Sequence, residues 1–320
     1  MQYVTAHPDG ILAVDAGYCR DGLAAIHLVI HHGQAAIIDT GTNASVPRVL
    51  AALAAAGVEP ANVAWVMLTH IHLDHAGGAG SLMCALPNAK LVVHPRGVRH
   101  MVDPTRLWEA TSAVYGAEQT FAMYGRLAPV AEERIVPATD GLELEMGTRR
   151  FTIIDTPGHA RHHICIWDHT ASAFFTGDTF GLSYRELDVD GRPFVFPSCT
   201  PTQFDPDALH ASIDRMMSFG PQAMYLTHYS RVTDVERLAG DLHRLIDTQV
   251  AVAQAARGDG VARHVEILAG LEQIVREEAE RQGWTLAEDD YMEVLRLDLE
   301  LNAQGLGVWL DACREQALTV

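Results

Sequence analysis

A layered α/β protein with a helical C-terminal extension is the fold class that this 320-residue sequence predicts. Short apolar, β-branched runs alternate with alanine- and leucine-rich runs at helical spacing across residues 24–227. Several of those runs end in loops that carry histidine or aspartate, often beside glycine, the pattern of functional loops on a rigid sheet. Beyond about residue 233 only helical spacing remains.

Taken in order, residues 24–30 and 35–38 are strand-like and flank His32-Gly33-Gln34, a hairpin turn. Residues 47–56 form an alanine- and leucine-rich helix ended by Gly57, 63–69 a buried strand, 79–86 the next helix and 90–94 another strand. Strands are expected near 142–154, 163–167 and 172–176, then a helix over 206–219 and a strand over 223–227. Asp205 and Pro206 open that helix as N-cap and first-turn proline. Sheet, helix, sheet, helix in this order is the layering of an αββα sandwich. Two segments look additional. Residues 100–134 carry Trp108, Tyr115, Phe121, Tyr124 and Leu127 and read as a lid, a pocket wall or a packed helical insertion; residues 181–204 form a loop rich in Gly, Pro (Pro193, Pro197, Pro201) and Phe.

In the C-terminal region Val235, Leu238, Leu242, Leu245 and Ile246 make one apolar stripe, and Ile267, Leu268, Leu271, Ile274 and Val275 a second. Thr285-Leu-Ala-Glu288 has the form of a capping box. It would open a last helical stretch with Leu295, Leu299, Leu306, Trp309 and Leu310, which Gly305 and Gly307 are expected to break or kink. The expected division is a layered domain over 1–232 and a helical extension over 233–320, the latter capping the functional loops of the layered domain or forming a homodimer surface.

The chemistry concentrates in Thr69-His-Ile-His-Leu-Asp-His75, where His70, His72, Asp74 and His75 follow the strand at 63–69. Imidazole nitrogens and a carboxylate suit zinc, iron or manganese better than a soft all-thiolate site. Three further loops after strand-like runs deliver His159, Asp178 and His228. Five neutral imidazoles and two carboxylates can hold two divalent ions while leaving positions for water. Two such ions about 3.5–4 Å apart can share a hydroxide and polarise a substrate oxygen, with no serine or cysteine nucleophile required. The other twelve histidines read as packed or solvated residues, although His162 and His163 lie close enough in sequence to His159 to enter the same pocket.

His70-x-His72-x-Asp74-His75, Gly158-His159, Gly177-Asp178-Thr179, Thr227-His228 and the early Ile37-Ile38-Asp39-Thr40-Gly41 together resemble the metallo-β-lactamase-fold hydrolase superfamily, in its glyoxalase II-like and lactonase-like branch. The resemblance covers about residues 10–230. It implies that His70, His72 and His159 bind a first metal, that Asp74, His75 and His228 bind a second, and that Asp178 bridges them. Zinc is the default, with iron or manganese as alternatives. Oxygen-reducing diiron relatives carry glutamate where this chain has His72, which argues against redox chemistry. The antibiotic-hydrolysing branch commonly has cysteine in place of Asp178, and a carboxylate there favours two hard or borderline metals.

The leading expectation is hydrolysis of an acyl ester, thioester or lactone of a small-molecule substrate by a metal-bridging hydroxide. Asp74 would orient that hydroxide or move its proton, and Tyr184 would donate to the oxyanion. The alternatives are a phosphodiesterase on the same metals, with Arg96, Arg99, Arg161 and Arg185 at the mouth, and a regulatory or interaction protein with vestigial activity. A net charge of −18 argues against a nucleic-acid partner. No basic leader followed by an apolar stretch opens the chain, and no run approaches the ~18–20 apolar residues that span a bilayer. Five scattered cysteines without a C-x-x-C pair suggest free thiols and a cytoplasmic location, with no membrane partner.

Overall fold

The computed structural model describes residues 1–199 and 203–319, leaving aside the side chains of 114, 115 and 316–319. Pro201 and the Tyr115 side chain therefore lie outside the described residues. The chain divides into two compact units, one comprising residues 1–155, 162–177 and 221–231, the other residues 156–161, 178–220 and 232–320.

The first unit is built on two mixed sheets. One has strand order β1 (Val4–Ala6), β2 (Ile11–Asp15), β3 (Ala25–His31), β4 (Gln34–Ile38), β5 (Val63–Met67), β6 (Lys90–Val93) and β7 (Ile135–Pro137). Antiparallel pairing from β1 to β4 gives way to parallel pairing from β4 to β7. The second sheet runs in reverse spatial order from β13 (Ser230–Val232) through β12 (Ala223–Leu226), β11 (Ala173–Gly177), β10 (Ile164–Asp168) and β9 (Arg149–Asp155) to β8 (Glu143–Met146). Helices α1 (Val46–Ala55), α2 (Leu73–Ala76), α3 (Ala79–Ala85), α4 (Val98–Val102), α5 (Thr105–Tyr115) and α6 (Ala117–Tyr124) complete this unit. Ile11, Val29, Ile38, Met67 and Val92 of the first sheet share a buried core with Phe151, Ile153, Ile166, Phe175 and Tyr225 of the second. Each such side chain contributes about 1.5–3 kcal/mol relative to exposure. The fold class is the layered α/β sandwich expected.

Strand direction sets where the loops fall. β9 and β11 are each antiparallel to β10, and β12 is parallel to β11, so the C-terminal ends of β9, β11 and β12 share one sheet edge. The loops bearing Gly158-His159, Asp178 and His228 all leave from that edge.

The second unit carries α7 (Pro206–Met217), α8 (Val235–Ala255), α9 (Gly260–Gln282) and α10 (Glu288–Thr319). Asp205 caps α7 as expected, its carboxylate accepting the Ala208 N–H at 3.0 Å. The expected stripes are buried: Leu238, Leu242, Leu245 and Ile246 on α8, and Ile267, Leu271, Ile274 and Val275 on α9. Arg244 bonds both carboxylate oxygens of Glu278 at 2.6 and 2.9 Å, joining α8 to α9. Arg263 does the same to Asp311 at 2.7 and 2.6 Å, joining α9 to α10.

Several local expectations change. The run at 142–154 is two strands, β8 and β9, turning at Gly147, whose φ is +61°. The short strands β1, β2, β7 and β13 were not expected. Residues 100–134 hold helices α4–α6, with Tyr124 buried and Phe121 60% exposed. No break occurs at Gly305 or Gly307: α10 runs through both. Each glycine costs about 1 kcal/mol in a helix, but buried Leu299, Ala303, Leu306 and Leu310 hold α10 in place. The Thr285 capping box does not form, because the helix begins at Glu288 and that carboxylate accepts from Arg276 Nε at 2.7 Å.

Candidate metal centre

In the first unit, the turn after β5 carries His70 and His72 directly into α2, which holds Asp74 and His75. Asp39, at the end of β4, organises this turn. Its carboxylate accepts from Thr69 N–H at 2.8 Å, from the Thr69 hydroxyl at 2.9–3.0 Å, from His75 Nδ1 at 2.8 Å and from the Thr227 hydroxyl at 2.9 Å. With the Thr69 proton committed to Asp39, His70 Nδ1 is the donor in its 3.1 Å contact to Thr69 Oγ1. His228 Nδ1 donates to the Leu23 carbonyl at 2.8 Å. Each of these bonds places the ring proton on Nδ1 and leaves Nε2 as the lone pair, the usual way a partner group fixes a metal-binding imidazole.

Those lone pairs converge. His75 Nε2 and His228 Nε2 lie 3.5 and 3.4 Å from Asp74 Oδ2, and one donor atom from each of the three residues lies within 4.8 Å of the others. Ligands about 2.0–2.1 Å from a tetrahedral zinc stand about 3.3 Å apart, so this donor set fits a divalent ion. His70 Nε2 and His72 Nδ1 meet at 2.8 Å, and the His70 and His75 rings are 4.0 Å apart. His70 and His75 are fully buried, whereas the Asp74 side chain is 22% exposed. Gly177, at φ +47°, makes room here: a Cβ would stand 2.6 Å from both Thr69 Oγ1 and His163 Nε2.

In the second unit, His159 and Asp178 form a separate pair. Pro157 and Gly158 lash the His159 turn to α7, with Ser212 Oγ donating to Pro157 O at 2.6 Å and Asp205 N to Gly158 O at 2.8 Å. Gly158 has φ +136°, and a Cβ there would come within 2.4 Å of Leu209 Cα. His159 Nδ1 donates to the Ser198 carbonyl at 3.1 Å, again leaving Nε2 as lone pair, and that nitrogen lies 3.5 Å from Asp178 Oδ2. This is the same near-tetrahedral edge length seen around Asp74. Both residues are at least 95% buried.

Three further features surround this cluster. His162 and His163 both approach the cluster, with the His163 ring stacked 4.9 Å from His70 and the His162 ring edge-on 5.6 Å from His72. Only their sequence proximity to His159 signalled this. Tyr18, on the β2–β3 loop, pairs its hydroxyl with that of Tyr124 at 2.9 Å. Burial first, and then the Asp74 charge, hold the Tyr18 phenol protonated far above its ordinary range. Tyr184 makes a contact that the sequence did not signal. It is buried, and its hydroxyl donates to the Asp298 carboxylate on α10 at 3.1–3.2 Å. Among the described residues no helix is long and apolar enough to cross a membrane.

Known proteins of similar sequence and structure show the family of this chain. An archaeal metallo-beta-lactamase fold-containing protein from Sulfurisphaera tokodaii is 26% identical over 51% of this chain and 59% of its own length. The crystal structure of an archaeal metallo-beta-lactamase superfamily protein from Sulfolobus tokodaii superposes with a TM-score of 0.59 at 20% identity, covering 94% of this chain and 99% of that one. A Bos taurus protein named acyl-coenzyme A thioesterase MBLAC2 is 28% identical over 58% of this chain and 68% of its own length. A Stenotrophomonas maltophilia hydroxyacylglutathione hydrolase is 30% identical over 52% of this chain and 49% of its own. The matches thus span about half to two thirds of these curated relatives. The family model of the metallo-beta-lactamase superfamily matches residues 20–228, well over half of the chain, which therefore belongs to that superfamily.

Proposed function

We propose that this protein is a dinuclear metal-dependent hydrolase acting on acyl thioesters, with acyl esters and lactones as chemically adjacent substrates. The observation that carries the reading is the donor arrangement: imidazoles whose Nδ1 protons are fixed by protein acceptors, with Nε2 atoms standing 3.4–3.5 Å from Asp74 or Asp178 oxygens. His70, His72 and His159 would hold one divalent ion and Asp74, His75 and His228 the other, with Asp178 shared. Zinc matches this N/O set best, and iron and manganese share it. When bound, the pair would supply Lewis acidity and water activated near neutral pH.

The chain's own residues would do the rest. Asp39 holds His75 and, through Thr69 and Thr227, steadies the turns that bear His70 and His228. Asp74, partly exposed, is the group placed to exchange a proton with a leaving group. Tyr18, kept as a neutral phenol within electrostatic reach of Asp74, is a second candidate beside Tyr184 to donate to a developing oxyanion, with Tyr124 supplying the proton of the contact between the two hydroxyls. The thioester preference rests on two relatives whose names describe thioester hydrolysis. Phosphodiester cleavage receives less support, because Arg185 is engaged with Ser183 and Asp188.

A panel of acyl-coenzyme A and glutathione thioesters, p-nitrophenyl esters, lactones and bis-p-nitrophenyl phosphate tests the assignment. Thioester turnover is expected to dominate and to fall at least 100-fold in Asp178→Ala with loss of metal. Preferred phosphodiester turnover, or full activity in Asp178→Ala with unchanged metal content, would refute it.

A further inference from the structure

We infer that Asn302 on α10, supported by Gln249 on α8, is a positioning residue for His159, acting through the peptide group between Ser198 and Cys199; the inference rests on reading His159 as a metal ligand. All these residues belong to the second unit. Asn302 Oδ1 accepts the Cys199 N–H at 2.7 Å, while Asn302 Nδ2 donates to the Pro197 carbonyl at 2.7 Å. Gln249 Oε1 accepts from Asn302 Nδ2 at 3.4 Å and from the Cys199 thiol at 3.3 Å. Asn302, Gln249 and Cys199 are 0–1% exposed.

The Cys199 N–H and the Ser198 carbonyl are the two ends of one planar peptide. Holding the N–H end with Asn302 therefore fixes the direction of the carbonyl end. That carbonyl is the acceptor of His159 Nδ1 at 3.1 Å. A carbonyl can only accept, so the proton must sit on Nδ1 and the Nε2 lone pair faces Asp178. The series Asn302, peptide, imidazole also polarises in one direction, which strengthens each bond and raises the basicity of Nε2. Residues on two helices, 90 and 143 positions further along the chain, thus set the ring orientation and tautomer of His159.

The test uses the full-length metal-bound protein and the variants Asn302→Leu, Gln249→Leu and His159→Ala. Zinc affinity is measured by chelator competition and the His159 tautomer by ¹⁵N NMR of the ring in metal-depleted protein. Asn302→Leu should weaken zinc binding about 10–100-fold, as loss of an outer-shell partner does, and mix the His159 tautomers. Gln249→Leu should do so by less than about 10-fold, and carries the test if Asn302→Leu fails to fold. In a His159→Ala background, Asn302→Leu should have no further effect on zinc affinity, the non-additivity expected of one pathway. Unchanged affinity and an unchanged tautomer in folded variants would overturn the inference. A His159→Ala protein that binds zinc like wild type would instead overturn the ligand assignment.

Discussion

Asp39 adopts φ +58°, in the left-handed region that aspartate and asparagine tolerate better than most residues. Held in that conformation, its carboxylate serves two threonines and a histidine at once. Asp39→Asn should keep the backbone but lose the charge that supports the His75 imidazole. We expect metal affinity to fall about 10–100-fold, read by chelator competition, with the fold retained by circular dichroism. His27 offers a second residue-level prediction. Buried between Phe175 and Tyr225 and bonded to Ser230 Oγ at 3.0 Å, it is pushed by burial from 6.5 down to about 3. Because its folded value lies below the unfolded one, its contribution is intact above about pH 6.5 and is lost as pH falls toward 3. Between pH 7 and pH 5 the loss amounts to about 2 kcal/mol. Replacing His27 with glutamine should flatten that part of the urea-midpoint profile; an identical pH dependence would contradict it. At this scale the residues proposed as ligands were legible in the sequence, because clustered histidines and aspartates after strands are rare by chance. The sequence did not disclose the contacts of Asp39, Tyr18 or Tyr184, since these join residues far apart in the chain, such as Tyr18 with Tyr124 and Tyr184 with Asp298.

Between elements, close approach matters more than propensity. The passage from β9 to α7 works because Gly158 lets Leu209 come against the backbone that carries His159. Gly158→Ala combines a φ unfavourable to alanine with a collision against main-chain atoms, which cannot move as a side-chain tip can. It should cost about 2 kcal/mol or more and reduce metal content, measured by urea unfolding and elemental analysis. Wild-type stability with full metal loading would show that the turn relaxes without consequence. The same reasoning explains which elements were legible. Asp205-Pro206 is a local signal and predicted the start of α7, and the apolar stripes of α8 and α9 are periodic enough to read directly. Strands of three residues, such as β1 and β7, have too few positions to show alternation. Gly305 and Gly307 misled because burial along α10 outweighs a local helix penalty, and Thr285 because Glu288 finds Arg276 instead.

At the scale of the whole molecule, the proposed ligands are divided between the compact units: His70, His72, Asp74, His75 and His228 belong to one, His159 and Asp178 to the other. The proposed function therefore makes ion binding a determinant of stability as well as of chemistry. Ions that bind the folded protein and not the unfolded chain stabilise it by RT ln(1 + [L]/Kd), about 2.7 kcal/mol per site at one hundred times Kd. Stripping the metal also leaves buried imidazoles and carboxylates facing one another without the cation that offsets their repulsion and desolvation. Protein produced in metal-replete medium should carry close to two equivalents. Exhaustive chelation should lower its melting temperature by several degrees, and residues 156–161 and 178–199 should gain the most hydrogen exchange, because they carry the second unit's share of the ligands. Re-addition of zinc should restore both, in proportion to occupancy. A melting temperature indifferent to chelation, or saturation at a single equivalent after reconstitution, would show that the seven residues do not act as one dinuclear set.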